Sequence, residues 1–147
     1  MTAISSDIKH RIKTDLEALV TSQILGSVIV DNFKVSPIFD RDIAAYPCAI
    51  VTGPSIEGSY FTNHDNVRTH TFAVVVIAKM ETITADDTVE TLIEAILDKF
   101  DNDATLGGHA NAGLEPASTT PEPITIRTQS YIYFTVILKA KAIKQLS

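Results

Sequence analysis

The chain has 147 residues, 45% of them hydrophobic and 20% charged, which predicts one folded globular domain and excludes a disordered segment. Its formal net charge of −6 argues against a protein that grips phosphate backbones, because such proteins concentrate lysine and arginine on one face. A lone cysteine, Cys48, excludes an internal disulfide. Without a secretory signal pattern, or an apolar run near the ~18 residues of a membrane helix, we expect a soluble protein.

The first predicted element is an amphipathic helix that begins near Ser5 or Ser6. Its apolar residues recur at helical spacing: Ile8, Ile12, Leu16 and Leu19. An extended segment over 28–35 follows, interrupted at Asp31-Asn32, which is equally compatible with a turn. A short buried strand is predicted over 46–52 and is expected to end at Gly53-Pro54. Cys48 lies in this strand, where a thiol usually serves as a small apolar group.

A β-hairpin is predicted next. Its first arm covers Ile56 to Thr62, its turn Asn63 to Asn66, and its return arm Val67 to Lys79. Asparagine and aspartate tolerate left-handed backbone conformations, which explains why they crowd at the turn. Both faces of the return arm become apolar after Phe72, whereas the half near the turn is polar. The base of the hairpin is therefore predicted to lie in a sheet, with its tip projecting.

The second half of the chain predicts a helix, a long loop and a final strand. Thr84 or Asp86 can cap the helix, and its apolar stripe comprises Val89, Leu92, Ile93, Ile96, Leu97 and Phe100. The loop runs from about Asp101 to Pro123 and exceeds most connections in compact domains, so it is either mobile or ordered by a partner, and we favour the second. The final strand, Ile124 to Ala142, is apolar on both faces over 131–138, as in a central strand.

These elements together predict an α+β fold in a single domain over residues 1–147. One mostly antiparallel sheet packs against two main helices. A β-hairpin projects from the sheet, and a long loop precedes the last strand.

Motifs that carry chemistry are missing from the sequence. His64 and His70 do not have the spacing of a zinc site, and Asp101-Asn102-Asp103 lacks the glycine and glutamate of a calcium loop. Gly107-Gly108 is not followed by the Lys-Ser/Thr of a phosphate-binding loop. We therefore expect no catalytic residue, no cofactor and no metal. A small enzyme that uses His70 with an acidic partner is the less favoured alternative.

Two surface features have more than one interpretation. The acidic row Asp86, Glu90, Glu94 and Asp98 recurs at four-residue steps along the second helix. It is either a solvated face or the lining of a passage through which DNA slides, since like charge prevents phosphate contacts. The pair Tyr60-Phe61 near the hairpin tip is either an interface anchor or packs on its own hairpin.

The order of the predicted elements and their residue patterns, taken over the whole chain, resemble those of the tail terminator, or tail completion, proteins of long-tailed bacteriophages. After the first helix, the segments that carry the resemblance are Tyr46 to Val51, Arg68 to Val76, Leu92 to Phe100, Asp103 to Gly108, and the aromatic strand Tyr131 to Val136. These segments mark structural positions, so the resemblance transfers no catalytic residue.

The resemblance implies a structural virion protein, assembled in the host cytoplasm, that forms a hexameric ring at the head-proximal end of a phage tail. The ring would end polymerisation of the tail tube and provide the surface for head joining. Its partners would be other copies of itself, the tail tube protein and the head–tail connector proteins, with no membrane. DNA would pass through the ring without specific binding, and the acidic row would face the lumen.

The same resemblance places the subunit and partner contacts in the hairpin, from Ile56 to Phe72, and in the long loop, from Asp101 to Pro123. The candidate interface residues are Tyr60, Phe61, His64, Arg68, His70, Leu106 and Leu114. Two alternatives stay open: another neck, connector or tail-tube protein of a phage, and a non-viral small α+β binding module.

Overall fold

The computed structural model describes residues 4–31, 45–60, 65–79, 86–108, 110, 113–126 and 128–145. The elements in chain order are α1 (Ile4–Thr21), β1 (Ser27–Asp31), β2 (Cys48–Tyr60), β3 (Asp65–Lys79), α2 (Asp86–Asp101), β4 (Gly113–Ser118), β5 (Glu122–Ile126) and β6 (Gln129–Gln145). Two helices accompany a six-stranded, mostly antiparallel sheet, which confirms the predicted α+β class. The predicted segment over 33–35, the cap Thr84 and the turn residues 63 and 64 lie outside the described residues.

The sheet has the strand order β1-β2-β3-β6-β4, and β5 also pairs with β6. Only β1 and β2 are parallel to each other. Strands β4 and β5 follow one another along the same edge of β6. Thr119 lies between them: its N–H donates to the Thr135 carbonyl at 2.9 Å, and its Oγ1 accepts the Thr135 N–H at 2.9 Å. Strand β6 is therefore central, as its two apolar faces predict.

The main core lies between the two helices and one face of the sheet, called here the helix side. Its largest fully buried members are Ile8, Ile12 and Leu16 of α1, Ile96 and Phe100 of α2, and Phe72, Phe134 and Leu138 of the sheet. The helical residues recur every three or four positions, so they form a continuous stripe on each helix. Burying each such side chain contributes about 1.5–3 kcal/mol, which is what holds the helices on the sheet.

A second, smaller cluster lies on the opposite face, called here the far side. It contains Cys48, Ile50, Val75, Ile77 and Tyr131, all of them buried. Strand residues alternate between faces, so Val75 and Ile77 of β3 point away from the helix-side residues Phe72, Val74 and Val76 of the same strand. Burial raises the pKa of the Cys48 thiol, which agrees with its predicted role as a small apolar group.

Strand β2 does not end at Gly53-Pro54, so that prediction is wrong. The register with β3 shifts between Thr52 and Ser55, which marks a β-bulge. Gly53 has φ 115°, and a Cβ there would lie 3.0 Å from the Thr71 carbonyl oxygen. The bulge leaves Gly53 and Pro54 unpaired, so the strand accommodates both and continues to Tyr60.

The loop predicted from Asp101 to Pro123 contains strand β4 and the start of β5. The predicted final strand is in fact two strands, β5 and β6, joined by a turn at Thr128, where φ is 70°. The loop misassignment comes from proline: Pro116 and Pro123 indicate loop by composition, but an edge strand tolerates proline because no further strand needs its amide hydrogen.

The predicted hairpin does not project alone. Strand β6 accompanies β3 along its whole length, up to the pair Asp65 and Gln145. The ends of β2, β3 and β6 therefore form an extension of the sheet, which we call the blade: residues 55–60, 65–71 and 139–145. Strand β4 pairs with the base of the blade, at Lys139 to Lys141, and beyond Lys141 the blade has three strands. A three-stranded unit is stiffer than an isolated hairpin, which is marginally stable in water.

Candidate assembly surfaces

The structure removes two residues from the predicted interface. His70 is 3% exposed and Leu106 is 0% exposed, so neither side chain can contact a partner as the chain stands. Both were proposed from their place in a hairpin and a loop, but His70 lies inside the sheet and Leu106 packs into the core below it. Phe61 and His64 lie outside the described residues, as does the side chain of Tyr60.

The remaining interface candidates, Arg68 and Leu114, are half-buried on the helix side of the sheet. The register places His70 opposite Ala140 on β6, and Ala140 opposite Leu114 on β4. Arg68 lies two residues before His70 on β3 and therefore on the same face. The structure thus places Arg68, His70 and Leu114 close together on the helix side of the sheet, at the base of the blade.

His70 carries an unsatisfied polar group into this region. Neither ring nitrogen has a hydrogen-bond partner. Burial lowers the pKa of His70, and the charge of Arg68 lowers it further, so the ring is neutral at pH 7. A buried donor without a partner costs free energy, so His70 is a position where the fold is less stable than it could be.

The blade exposes one large apolar side chain, which lies in the segment predicted to form contacts but was not singled out from the sequence. Ile56 of β2 pairs with His70 and so faces the helix side, yet it is 51% exposed. The helices therefore do not cover this part of the sheet. Ile143, on the far side of the blade, is 37% exposed. The alternating pattern assigns the residues of a strand to the two faces of the sheet. It does not show which part of a face the helices leave exposed, so the exposure of Ile56 could not be predicted from it.

A groove lies between the first half of α2 and strands β5 and β6. Its volume is about 400 Å³, and it is lined by Val89, Glu90, Ile93, Pro121, Glu122, Pro123 and Ile132. Five of these seven residues are apolar. The Glu122 carboxylate accepts a hydrogen bond from the Tyr133 hydroxyl at 3.0 Å, whereas Glu90 is exposed on α2 at the groove.

The acidic row forms an exposed stripe beside this groove. Glu90, Glu94 and Asp98 are all exposed on α2, and no ion pair within the described part of the chain involves them. Asp86 is the first residue of the helix, and its side chain lies outside the description. The stripe is solvated in the single chain, and its orientation toward a lumen stays a prediction.

A charged cluster joins α1 to the turn after α2, and sequence reasoning missed it. Arg11 Nε lies 2.8 Å from Asp103 Oδ2 and 3.8 Å from Asp15 Oδ1. The Gly107 N–H donates to Asp103 Oδ1 at 3.0 Å. The detectable signal was Asp15 itself, a carboxylate placed between Ile12 and Leu16 on the apolar stripe of α1.

The pKa values of the two carboxyls in this cluster are shifted in opposite directions. Asp15 is 5% exposed and its Oδ2 has no hydrogen-bond partner. Burial, together with the nearby Asp103, raises the pKa of Asp15 to about 7. Burial also acts to raise the pKa of Asp103, but hydrogen bonds from Arg11, Asp15 and Gly107 outweigh it and hold that pKa below its ordinary value. The cluster therefore holds α1 to the turn after α2, and the stability of this contact depends on pH.

Comparison with models of known protein families gives no match. Comparison with curated protein sequences also gives none. Among the described residues, no three His, Cys, Asp or Glu side chains group closely enough to hold a metal ion. Neither described helix has the length and apolar character needed to cross a membrane.

Proposed function

We propose that this protein is a structural subunit of a bacteriophage tail. It forms a ring at the head-proximal end, ends polymerisation of the tail tube and presents the surface to which the head connector joins. In this role it catalyses no reaction, and it acts in the virion after assembly in the host cytoplasm. The proposal rests on the chain-long resemblance described above and on the shape of the described fold.

The observation that carries the proposal is the blade. It is a three-stranded extension of the sheet with an apolar side chain, Ile56, that is 51% exposed on the face the helices cover elsewhere. Exposed apolar side chains on projecting elements are typical of surfaces that become buried on assembly. A subunit that acts by contacting its neighbours requires such a surface.

The acidic stripe of α2 supports the part of the proposal that concerns DNA. Glu90, Glu94 and Asp98 are exposed together on one helix face. A carboxylate surface repels phosphate groups, so DNA can move past it without forming contacts that release counterions. In the proposed ring the end of this stripe away from the groove, at Asp98, faces the lumen.

Deleting the gene from the phage that encodes the chain tests the proposal. Electron microscopy of the particles should show tails of uncontrolled length, because nothing stops the tube from growing. Tails of normal length that fail to join heads would instead indicate a neck protein, the nearest alternative. Normal particles would refute both. Complementation with the intact gene is the control.

A further inference from the structure

We infer that the groove between α2 and β5 receives the blade of a second copy of this chain. Ile56 of one copy enters the groove of the next, and Arg68 beside it faces the acidic stripe that begins at Glu90. This inference names the subunit contact that the proposed ring requires and, in that respect, rests on the proposed function. The contact itself can be tested on the purified protein.

The apolar surfaces match in chemistry. Ile56 presents a branched aliphatic side chain that is 51% exposed, the largest exposed fraction among the big apolar side chains described. The groove offers aliphatic and proline side chains, including Ile93 and Ile132, in a volume of about 400 Å³. Neither surface is covered within the described chain, so both keep apolar area in contact with water that association would remove.

The charges match as well. Arg68 lies on the same sheet face as Ile56, close enough to His70 for its charge to lower the pKa of that ring. Glu90 is at the groove, and Glu94 follows one helical turn later on the same exposed stripe. An arginine that approaches with Ile56 therefore meets carboxylates. Such complementarity selects this pairing and its orientation, and it speeds the encounter.

The blade cannot reach the groove of its own chain. Ile56 is level with Ala140 of β6 through His70, whereas the groove is level with Ile132, eight residues earlier on the same strand. With about 3.4 Å per residue along a strand and about 4.8 Å between neighbouring strands, the two surfaces lie on the order of 30 Å apart. Both belong to one hydrogen-bonded sheet, so the occupant must be another molecule.

In the proposed ring the contact is heterologous, since each copy contributes a different surface to each of its two neighbours. Every added copy leaves one blade and one groove unoccupied at the ends. Such a contact closes into a ring where the rotation fits, and otherwise it continues as a filament. The same geometry permits a decisive test with two variants, each of which disables only one of the two surfaces.

The first measurement compares single variants by sedimentation velocity, from micromolar to millimolar concentration. Wild type should show a mass above the monomer that rises with concentration. Ile56→Asp should weaken association by about 10- to 100-fold, since it removes a buried aliphatic side chain. Ile143→Asp is the matched control: it changes an exposed isoleucine of the same blade on the opposite face, and should associate as wild type does.

The second measurement mixes two non-associating variants. One is Ile56→Asp, whose groove is intact. The other is Glu90→Arg with Pro123→Arg, both at exposed groove positions, whose blade is intact. Each alone should be monomeric, and the mixture should form a one-to-one dimer and nothing larger. In a third measurement, Arg68→Glu should weaken association, and adding Glu90→Arg to it should restore part of the loss. Circular dichroism checks that every variant is folded.

Several results would overturn the inference. These are a wild-type protein that stays monomeric at every concentration, equal effects of Ile56→Asp and Ile143→Asp, and a mixture that stays monomeric or grows beyond a dimer. The outcome is separable from that of the gene deletion. If the contact fails while deletion still gives overlong tails, the proposed function stands without this interface. If the contact holds while particles are normal, the interface stands and the tail function falls.

Discussion

Replacing Asp15 by asparagine tests the charged cluster that joins α1 to the turn after α2. The folded-state pKa of Asp15 is about 7, against 3.8 for an ordinary aspartate. Because the folded-state pKa is the higher one, the folded protein binds the proton more tightly than the unfolded chain does. The stabilisation from Asp15 is therefore complete below about pH 4 and is lost as pH rises through about 7.

The size of this effect follows from the pKa difference. A shift from 3.8 to about 7 corresponds to at most about 4 kcal/mol, at 1.36 kcal/mol per pKa unit. Asp103, whose charge helps to raise this pKa, is 16% exposed, so water screens part of its repulsion of Asp15 and we expect about 2 kcal/mol. Asparagine resembles the protonated carboxyl and carries no charge at any pH. At pH 8 the variant should therefore be more stable than wild type by about 2 kcal/mol, whereas at pH 5, where only part of the range from 3.8 to about 7 has been crossed, the difference should fall below about 1 kcal/mol.

Urea denaturation at both pH values, followed by circular dichroism, measures this difference. Comparing variant with wild type at each pH cancels the titration of groups away from the cluster. Glu17→Gln is the control, because Glu17 is an exposed carboxylate on the same helix whose pair with Lys13, at 3.7 Å, contributes little. A stability difference between Asp15→Asn and wild type that does not change from pH 5 to pH 8 would refute the reasoning.

Three further predictions concern stability and use the same assay. His70→Leu should raise stability by about 1 kcal/mol, because it removes two unpaired buried nitrogens. The gain should be larger at pH 5 than at pH 8. The pKa of His70 is lowered in the folded protein, so wild type loses stability as pH falls below 6.5, the ordinary pKa of histidine. A variant that is less stable than wild type at pH 5 would contradict this. Gly53→Ala should cost about 1–2 kcal/mol, because φ is 115° and the new Cβ would lie 3.0 Å from the Thr71 carbonyl oxygen, and an unchanged midpoint would show that the bulge relaxes freely. Phe100→Ala should cost about 3–5 kcal/mol, since the ring is 0% exposed and its removal leaves a cavity; a loss below 1 kcal/mol would mean that the core closes over the gap.

The regular elements could be predicted from the sequence where one physical rule governed them. Ile8, Ile12, Leu16 and Leu19 follow the helical period, and all four are buried. The return arm of the hairpin follows the strand period and ends at Lys79 as expected. Hydrophobic burial determines both patterns, and burial can be inferred from spacing alone.

Proline and glycine misled the prediction wherever their role depended on neighbouring strands. Gly53-Pro54 indicates a strand end by composition, but the pairing of β2 with β3 converts it into a bulge. Pro116 and Pro123 suggest a loop, yet both lie in strands at the edge of the sheet. Which strand lies at an edge is a tertiary property, and no local pattern contains it.

The candidate surfaces were the least predictable part. His70 was assigned to an interface from its place in the hairpin, but β3 is paired on both sides at this point and the His70 side chain is buried on the helix side. Ile56 lay within the predicted contact segment but was not singled out, since an isoleucine in an alternating strand is expected to be covered. Exposure of this kind depends on where the helices end relative to the sheet, which sequence period does not specify.

The prolines at the edge of the sheet have a consequence for a protein that is concentrated with many copies of itself. Pro116 of β4 and Pro123 of β5 interrupt the row of amide hydrogens that another chain would need to extend the sheet. This border cannot readily template cross-β growth, the usual hazard when identical strands crowd together. Copies that meet along this border must therefore recognise each other by side chains and not by extending the sheet.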